Sequence, residues 1–178
     1  YDNDGDQDIF VTTMENNLLF RNDAQVFTNV TNTSGLGNYS EWSSSAIFFD
    51  ADRDGWLDLY VCNYAIWSYE EDLDCAINNS TKVYCSPEMY DGLPSRFYHN
   101  NGDGTFTDHT ERAGFLPAPG KSLGVVHIDF NNDNWPDLAV ANDGERDLLY
   151  KNNGDGTFTE TGTALGMAYG ENGEARAG

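Results

Sequence analysis

Asp50-Ala51-Asp52-Arg53-Asp54-Gly55-Trp56-Leu57-Asp58 sets carboxylates at positions one, three, five and nine of a nine-residue stretch, with a glycine at position six. In a tight loop, side chains at positions one, three and five converge on one point. The glycine lets the backbone turn there, and the carbonyl of position seven can face the same point. Two such carboxylates about 4 Å apart repel by about 4 kcal/mol at an effective dielectric of about 20. The loop therefore calls for a hard divalent cation, and calcium is the expected one.

The pattern occurs twice more. Asp129-Phe130-Asn131-Asn132-Asp133-Asn134-Trp135-Pro136-Asp137 keeps oxygen ligands at positions one, three, five and nine, with Asn134 in place of the glycine. Asparagine is the next best residue for a left-handed backbone. Tyr1-Asp2-Asn3-Asp4-Gly5-Asp6-Gln7-Asp8 reads as the same loop from position two onward, so its first ligand would precede Tyr1. An EF-hand would place a glutamate at position twelve with a helix after it. Val11, Val61 and Val140 stand there instead, and each loop runs into a short strand pattern, such as Asp58-Leu59-Tyr60-Val61.

The segments downstream of the loops repeat as well. Leu18-Leu19-Phe20-Arg21-Asn22, Arg96-Phe97-Tyr98-His99-Asn100 and Leu148-Leu149-Tyr150-Lys151-Asn152 each lead into a second strand around Phe27, Phe106 or Phe158. A glycine turn comes next, at Gly35, Gly114 or Gly166. Asn101 to Gly104 and Asn153 to Gly156 read as hairpin tips whose glycines supply a positive φ. The first copy has Asp23-Ala24 there and must turn differently. With the strands Ser45 to Phe49 and Leu123 to Ile128 upstream of the loops, one unit is four antiparallel strands at a period of about 50 residues, a β-propeller blade. The expected class is all-β, about three blades with an incomplete ring. Residues 1–36 form a partial blade and 37–115 a complete one with an insertion at 63–95; 116–167 form another, and 168–178 begin the next. Since the last residues resemble the approach to a loop and the first resume inside one, head-to-tail assembly of copies is an expectation.

The 178 residues are 39% hydrophobic and 13% aromatic, as a globular protein requires. A net charge of −21 with nine Lys and Arg argues against nucleic acid and anionic membranes as partners. No apolar run approaches the roughly 20 residues of a membrane span. Cys75 and Cys85 flank a polar excursion that a disulfide would close, whereas Cys62, in a strand, reads as a buried thiol. N-x-Ser/Thr acceptor sequences stand at Asn29, Asn32, Asn38, Asn78 and Asn79. Calcium loops, a disulfide and scarce positive charge favour a secreted or cell-surface location.

The loops, the Asp-Leu-aromatic-Val strand and the Asn100-Asn101-Gly102-Asp103-Gly104-Thr105-Phe106 hairpin resemble the FG-GAP/VCBS repeats of the ASPIC and UnbV group, relatives of cartilage acidic protein. Tyr84-Cys85-Ser86-Pro87 with Gly92-Leu93-Pro94 resembles bacterial members. The resemblance implies surface-exposed propellers with calcium in a hairpin loop of each blade, as in integrin α-subunit heads. Carried over by position, the ligands would be Asp2, Asp4 and Asp8; Asp50, Asp52, Asp54 and Asp58; Asp129, Asn131, Asp133 and Asp137. The carbonyls of Asp6, Trp56 and Trp135 would join them.

The resulting expectation is a non-enzymatic module that binds a protein, a glycan or its own copies. The alternative is a carbohydrate-active lyase or dehydratase, whose general base would come from His99, His109, His127, Tyr98, Glu70 or Glu71. His127, at the repeat position of Phe48, is expected to face the core. His99 and His109 are expected to be exposed, ordinary imidazoles. Trp56 and Trp135 are expected to pack between neighbouring blades rather than stack on sugars.

Overall fold

The computed structural model describes residues 1–70, 72–77, 81–115, 120–170 and 173–174. Alternating apolar residues build the strands. β1 (Ile9–Val11), β2 (Leu18–Asp23) and β3 (Val26–Asn29) form a three-stranded sheet in that order. The second sheet starts with β4 (Ser43–Phe49) and β5 (Asp58–Asn63). A separate hairpin comes next, β6 (Cys75–Ile77) with β7 (Thr81–Val83), and the sheet is completed by β8 (Arg96–Asn100) and β9 (Phe106–Asp108). β10 (Ser122–Ile128), β11 (Asp137–Asn142), β12 (Leu148–Asn152) and β13 (Phe158–Glu160) form the third. Every pairing within these sheets is antiparallel, and the order follows the chain, as in β-propeller blades.

Each blade packs on the next through faces set by the two-residue period of a strand. Leu19 of the first sheet meets Leu59, Val61, Tyr98 and Phe106 of the second. The opposite face of the second sheet, with Phe49, Tyr60, Cys62 and Phe97, meets Leu138, Val140, Tyr150 and Phe158 of the third. Backbone contacts lock the stack. The Phe106 N–H donates to the Ser34 carbonyl at 2.8 Å and the Phe158 N–H to the Ala113 carbonyl at 2.7 Å. The adjoining glycine turns come so close that a Cβ on Gly35 would lie 2.8 Å from the Phe106 oxygen, and one on Gly114 2.7 Å from the Phe158 oxygen. Both glycines also have positive φ, so no other residue suits them.

The two outer faces are apolar and open. Leu59 and Val61 are buried, whereas Ile9 and Val11 at the same repeat positions are 45% and 38% exposed. On the far side of the third sheet Val126 is 50% exposed, where its repeat equivalent Ile47 packs against the core between blades.

The antiparallel path also fixes two ends. The nine-residue loops and the hairpin tips share one end. The connection from β5 to β8, which carries the β6–β7 hairpin, leaves from the other. Cys75 and Cys85 form a disulfide, with an S–S distance of 2.01 Å, and Cys62 is a buried free thiol whose pKa burial pushes up to about 12.

Candidate metal centre

The three loops fold alike. Positive φ recurs at position six, in Gly5 (94°), Gly55 (91°) and Asn134 (67°), as the sequence implies. It also recurs at position four, in Asn3 (60°), Arg53 (63°) and Asn132 (60°), which the loop pattern alone did not reveal. The side chains then bond the backbone ahead of them. The position-five carboxylates Asp4, Asp54 and Asp133 each accept the position-seven N–H at 2.8 Å. Position three accepts the position-five N–H, at 3.2 Å for Asp52 and 2.9 Å for Asn131. Position one accepts the position-six N–H, at 3.1 Å for Asp50 and 3.0 Å for Asp129. Positions one, three and five are thus held facing inward.

Position nine is the anchor. Asp58 and Asp137 are buried, and each accepts one N–H from position two and one from the third strand of its own blade. Ala51 donates to Asp58 at 3.1 Å and Asn100 at 2.9 Å, while Phe130 donates to Asp137 at 3.2 Å and Asn152 at 2.8 Å. In the first loop the Tyr1 nitrogen and the Asn22 N–H bind Asp8 at 2.6 and 2.9 Å. Burial pushes the Asp58 carboxyl up to about 6, against the pull of those amides and of His99. Burial likewise raises Asp137 and Asp2. Each carboxylate oxygen has more than one lone pair, so position nine can serve both backbone and cation.

The same strand supplies a hub residue. The Asn100 amide donates to the Leu57 carbonyl at 2.9 Å in its own loop and to the Tyr1 carbonyl at 3.0 Å in the preceding one. Asn152 does the same toward Pro136 at 3.2 Å and Ala51 at 2.7 Å. Their oxygens accept the N–H of Gly102 and Gly154 at the hairpin tips. A second link runs along the loops. Asn3 at position four donates to the Gly55 carbonyl at position six of the next loop, 2.9 Å away, and Arg53 donates to the Asn134 carbonyl in the same way. The loops form one bonded row.

Several expectations change here. Trp56 and Trp135 pack chiefly within their own blades: a Cβ on Gly102 would sit 2.9 Å from the Trp56 indole, and one on Gly154 2.9 Å from Trp135. Both also face the preceding blade: Arg53 lies 4.1 Å from the Trp135 ring centre, and Trp56 lines a cleft with Tyr1, Asp2 and Arg21. The shallow glycine tips leave room for an indole, which is why the tryptophans settle there. His127 is exposed rather than core-facing. Phe49 and Phe97 already cover the Phe158 ring, at 6.3 and 5.9 Å, and leave it no place. Conversely, His99 and His109 are half-buried and stacked at 5.0 Å, and His99 Nδ1 lies 3.0 Å from Asp58 Oδ1. An ionised carboxylate can only accept, so Nδ1 carries the proton. A ligand atom from each of Asp52, Asp54 and His99 lies within 4.8 Å of the others.

The remaining candidate bases do not gather at this site: Tyr98 is buried between blades, while Glu70 is exposed within the insertion. Asn29, Asn32 and Asn38 are exposed. Glu71, Asn78 and Asn79 lie outside the described residues. Among the described residues no helix is long and apolar enough to cross a membrane.

One atom tests whether the second loop fits a cation. Asp50 Oδ1 is buried and has no hydrogen-bond partner, alone in this respect among the described side chains. A buried carboxylate oxygen without a partner carries a large desolvation cost. It sits at position one of a loop whose other carboxylates converge beside it, and a cation there would satisfy it.

Antiparallel four-stranded blades stacked through apolar faces, with acidic loops at one end, define an all-β repeat protein of the β-propeller kind. An FG-GAP-like repeat family model matches residues 1–61, 72–140 and 129–176, and the chain belongs to that family. No curated protein matches the sequence at a significant level.

Proposed function

We propose that the chain is a calcium-stabilised, secreted or cell-surface adhesive or assembly module of the ASPIC and UnbV kind, without catalytic duty. The unpartnered Asp50 Oδ1 in a loop of converging carboxylates carries this reading. Asp50, Asp52, Asp54, Asp58 and the Trp56 carbonyl would hold one calcium ion, and Asp129, Asn131, Asp133, Asp137 and the Trp135 carbonyl a second. Asp2, Asp4, Asp8 and the Asp6 carbonyl would contribute to a third. These are hard oxygen donors, as calcium prefers. The cation's part is to neutralise the loops and so stiffen the row that joins the blades. At about a hundred times its dissociation constant it adds about 2.7 kcal/mol per site.

The blade divisions 1–36, 37–115 with 63–95 inserted, 116–167 and 168–178 belong to the same proposal. The open faces around Ile9, Val11 and Val126 take further blades of the same kind, from this protein or from another copy. The disulfide and the repeat family are typical of extracellular proteins, where Asn29, Asn32, Asn38, Asn78 and Asn79 are the glycan acceptors. Of the stacked histidines, His99 is tied to Asp58, an orienting contact for the loop rather than a free general base.

Calorimetric titration of calcium into chelator-stripped protein, paired with sedimentation in calcium and in chelator, tests this. Binding that Asp50→Asn weakens, with larger particles in calcium than without, is the expected result. Absence of any calcium-dependent heat or melting shift would overturn the metal reading. A monomer of unchanged size in both conditions would overturn assembly between copies.

A further inference from the structure

At the end of the blades opposite the acidic loops, the insertion and the second blade enclose a pocket of about 790 Å³. Its walls are aromatic. Trp42 lies edge-on to Tyr64 at 5.0 Å and to Trp67 at 5.8 Å, and Tyr84 and Tyr90 line the same space. Buried hydrophobic cores usually hide such rings, yet Tyr84 is fully exposed.

Three of the rings, Tyr64, Trp67 and Tyr90, are also held by hydrogen bonds. The Tyr64 hydroxyl donates to Asp143 at 2.6 Å, and the Trp67 indole N–H donates to Asp72 Oδ1 at 2.9 Å. The Tyr90 hydroxyl reaches that same oxygen at 3.3 Å. The Trp67 N–H holds the Asp72 carboxyl below its ordinary range, so it is ionised at neutral pH. The Cys75–Cys85 disulfide closes the β6–β7 hairpin that forms one wall. A rigid aromatic wall costs a ligand little ordering.

The polar groups on the lining select the ligand. Asp72 and Lys82 make its formal charge zero, and Lys82 Nζ stands 3.8 Å from Asp72 Oδ2. That is too long for a hydrogen bond. A single hydroxyl, which both donates and accepts, fits between them: it accepts from Nζ and donates to Oδ2 at about 2.8 Å each. An anion would meet Asp72 and a net charge of −21, and a simple cation would meet Lys82. A neutral ring with one C–H face and hydroxyls at its edge matches both the aromatic walls and the polar gap.

We propose that this pocket binds a neutral pyranose sugar, its C–H face stacked on the tryptophans and a hydroxyl bridging Asp72 and Lys82. The site is separate from the acidic loops and adds glycan recognition to the proposed adhesive role. The probes are the methyl glycosides of glucose, galactose, mannose, fucose and N-acetylglucosamine. They are titrated into the calcium-loaded protein and followed by tryptophan fluorescence and saturation-transfer NMR.

At least one should saturate with a dissociation constant near or below about 1 mM, with transfer strongest at its ring C–H protons. Trp67→Ala should weaken it about tenfold and Tyr84→Ala about threefold. Calcium affinity and melting temperature should hold in Tyr84→Ala, whose ring is fully exposed, so lost binding there is not lost folding. The proposal is overturned if none of the five binds at about 50 mM. It is equally overturned if binding ignores both substitutions, or if tetramethylammonium competes as well as the best sugar.

Discussion

The second and third loops follow the same backbone path but differ in how much they leave undone. The second has four carboxylates, and one buried oxygen of Asp50 finds no partner. In the third, asparagine replaces aspartate at position three, and the Asn131 amide donates to Asp133 Oδ2 at 2.8 Å. Asp129 Oδ1, the counterpart of the orphan, accepts the Asp133 N–H at 3.2 Å. Lys151 and Arg53 add positive charge, and the hydrogen bonds at Asp133, that from the Trp135 N–H foremost, hold its pKa down. With one amide in place of one carboxylate, the third loop meets more of its oxygens from within, whereas the second leaves one without a partner. Position nine is alike in both, because in each loop it holds the same two backbone amides.

Asp58→Ala should produce the largest effect. It leaves the Ala51 and Asn100 amides without their acceptor, at about 3 kcal/mol in chelator, and in calcium it gives up a proposed cation ligand as well. Asp50→Ala should behave differently, costing about 2 to 3 kcal/mol in calcium and little in chelator, where the exposed Gly55 N–H bond it gives up is offset by the removal of an unpartnered buried oxygen. Urea unfolding of both variants in both buffers separates the two roles. Equal losses for Asp50→Ala in the two buffers would erase the distinction between anchor and ligand.

Asn131→Asp should make the third loop resemble the second. The extra carboxylate is expected to tighten its calcium binding about tenfold, or about 1.4 kcal/mol, and to lower stability in chelator. Calorimetry on the Asp50→Asn background, where the second loop is weakened, reads it, and an unchanged affinity would mean that position three does not face the cation. The smallest effect belongs to the link between the loops. Arg53→Ala gives up the contact with Trp135 and the bond to the Asn134 carbonyl, worth about 0.5 to 1 kcal/mol at an exposed site. Its signature is weaker coupling between calcium binding at the second loop and at the third, and coupling as strong as in the unchanged protein would show that this link transmits nothing.

Much of this was legible because local chemistry repeats at fixed spacing. The loops, the glycine hairpins, the strand order and the Cys75–Cys85 pair all follow from residues close in sequence. Asn22, Asn100 and Asn152 stood at the same place in every repeat, and that regularity was the available signal for the hub they form. Nothing local distinguishes His127 from a core residue. Its exposure depends on Phe49 and Phe97, which arrive from the neighbouring blade. The histidine pair at 5.0 Å likewise needs two strands brought side by side.

By itself, then, the sequence determined an all-β chain of repeated blades, each with an oxygen-rich loop, because turn chemistry and two-residue alternation act over a few positions. The tertiary structure decided which carboxylate anchors and which stays unpaired, and it joined loop to loop through Asn3, Arg53, Asn100 and Asn152. It also gathered Trp42, Trp67 and Tyr84 into one pocket. Those outcomes depend on desolvation and on contacts between residues far apart in the chain, which exist only once the blades have stacked.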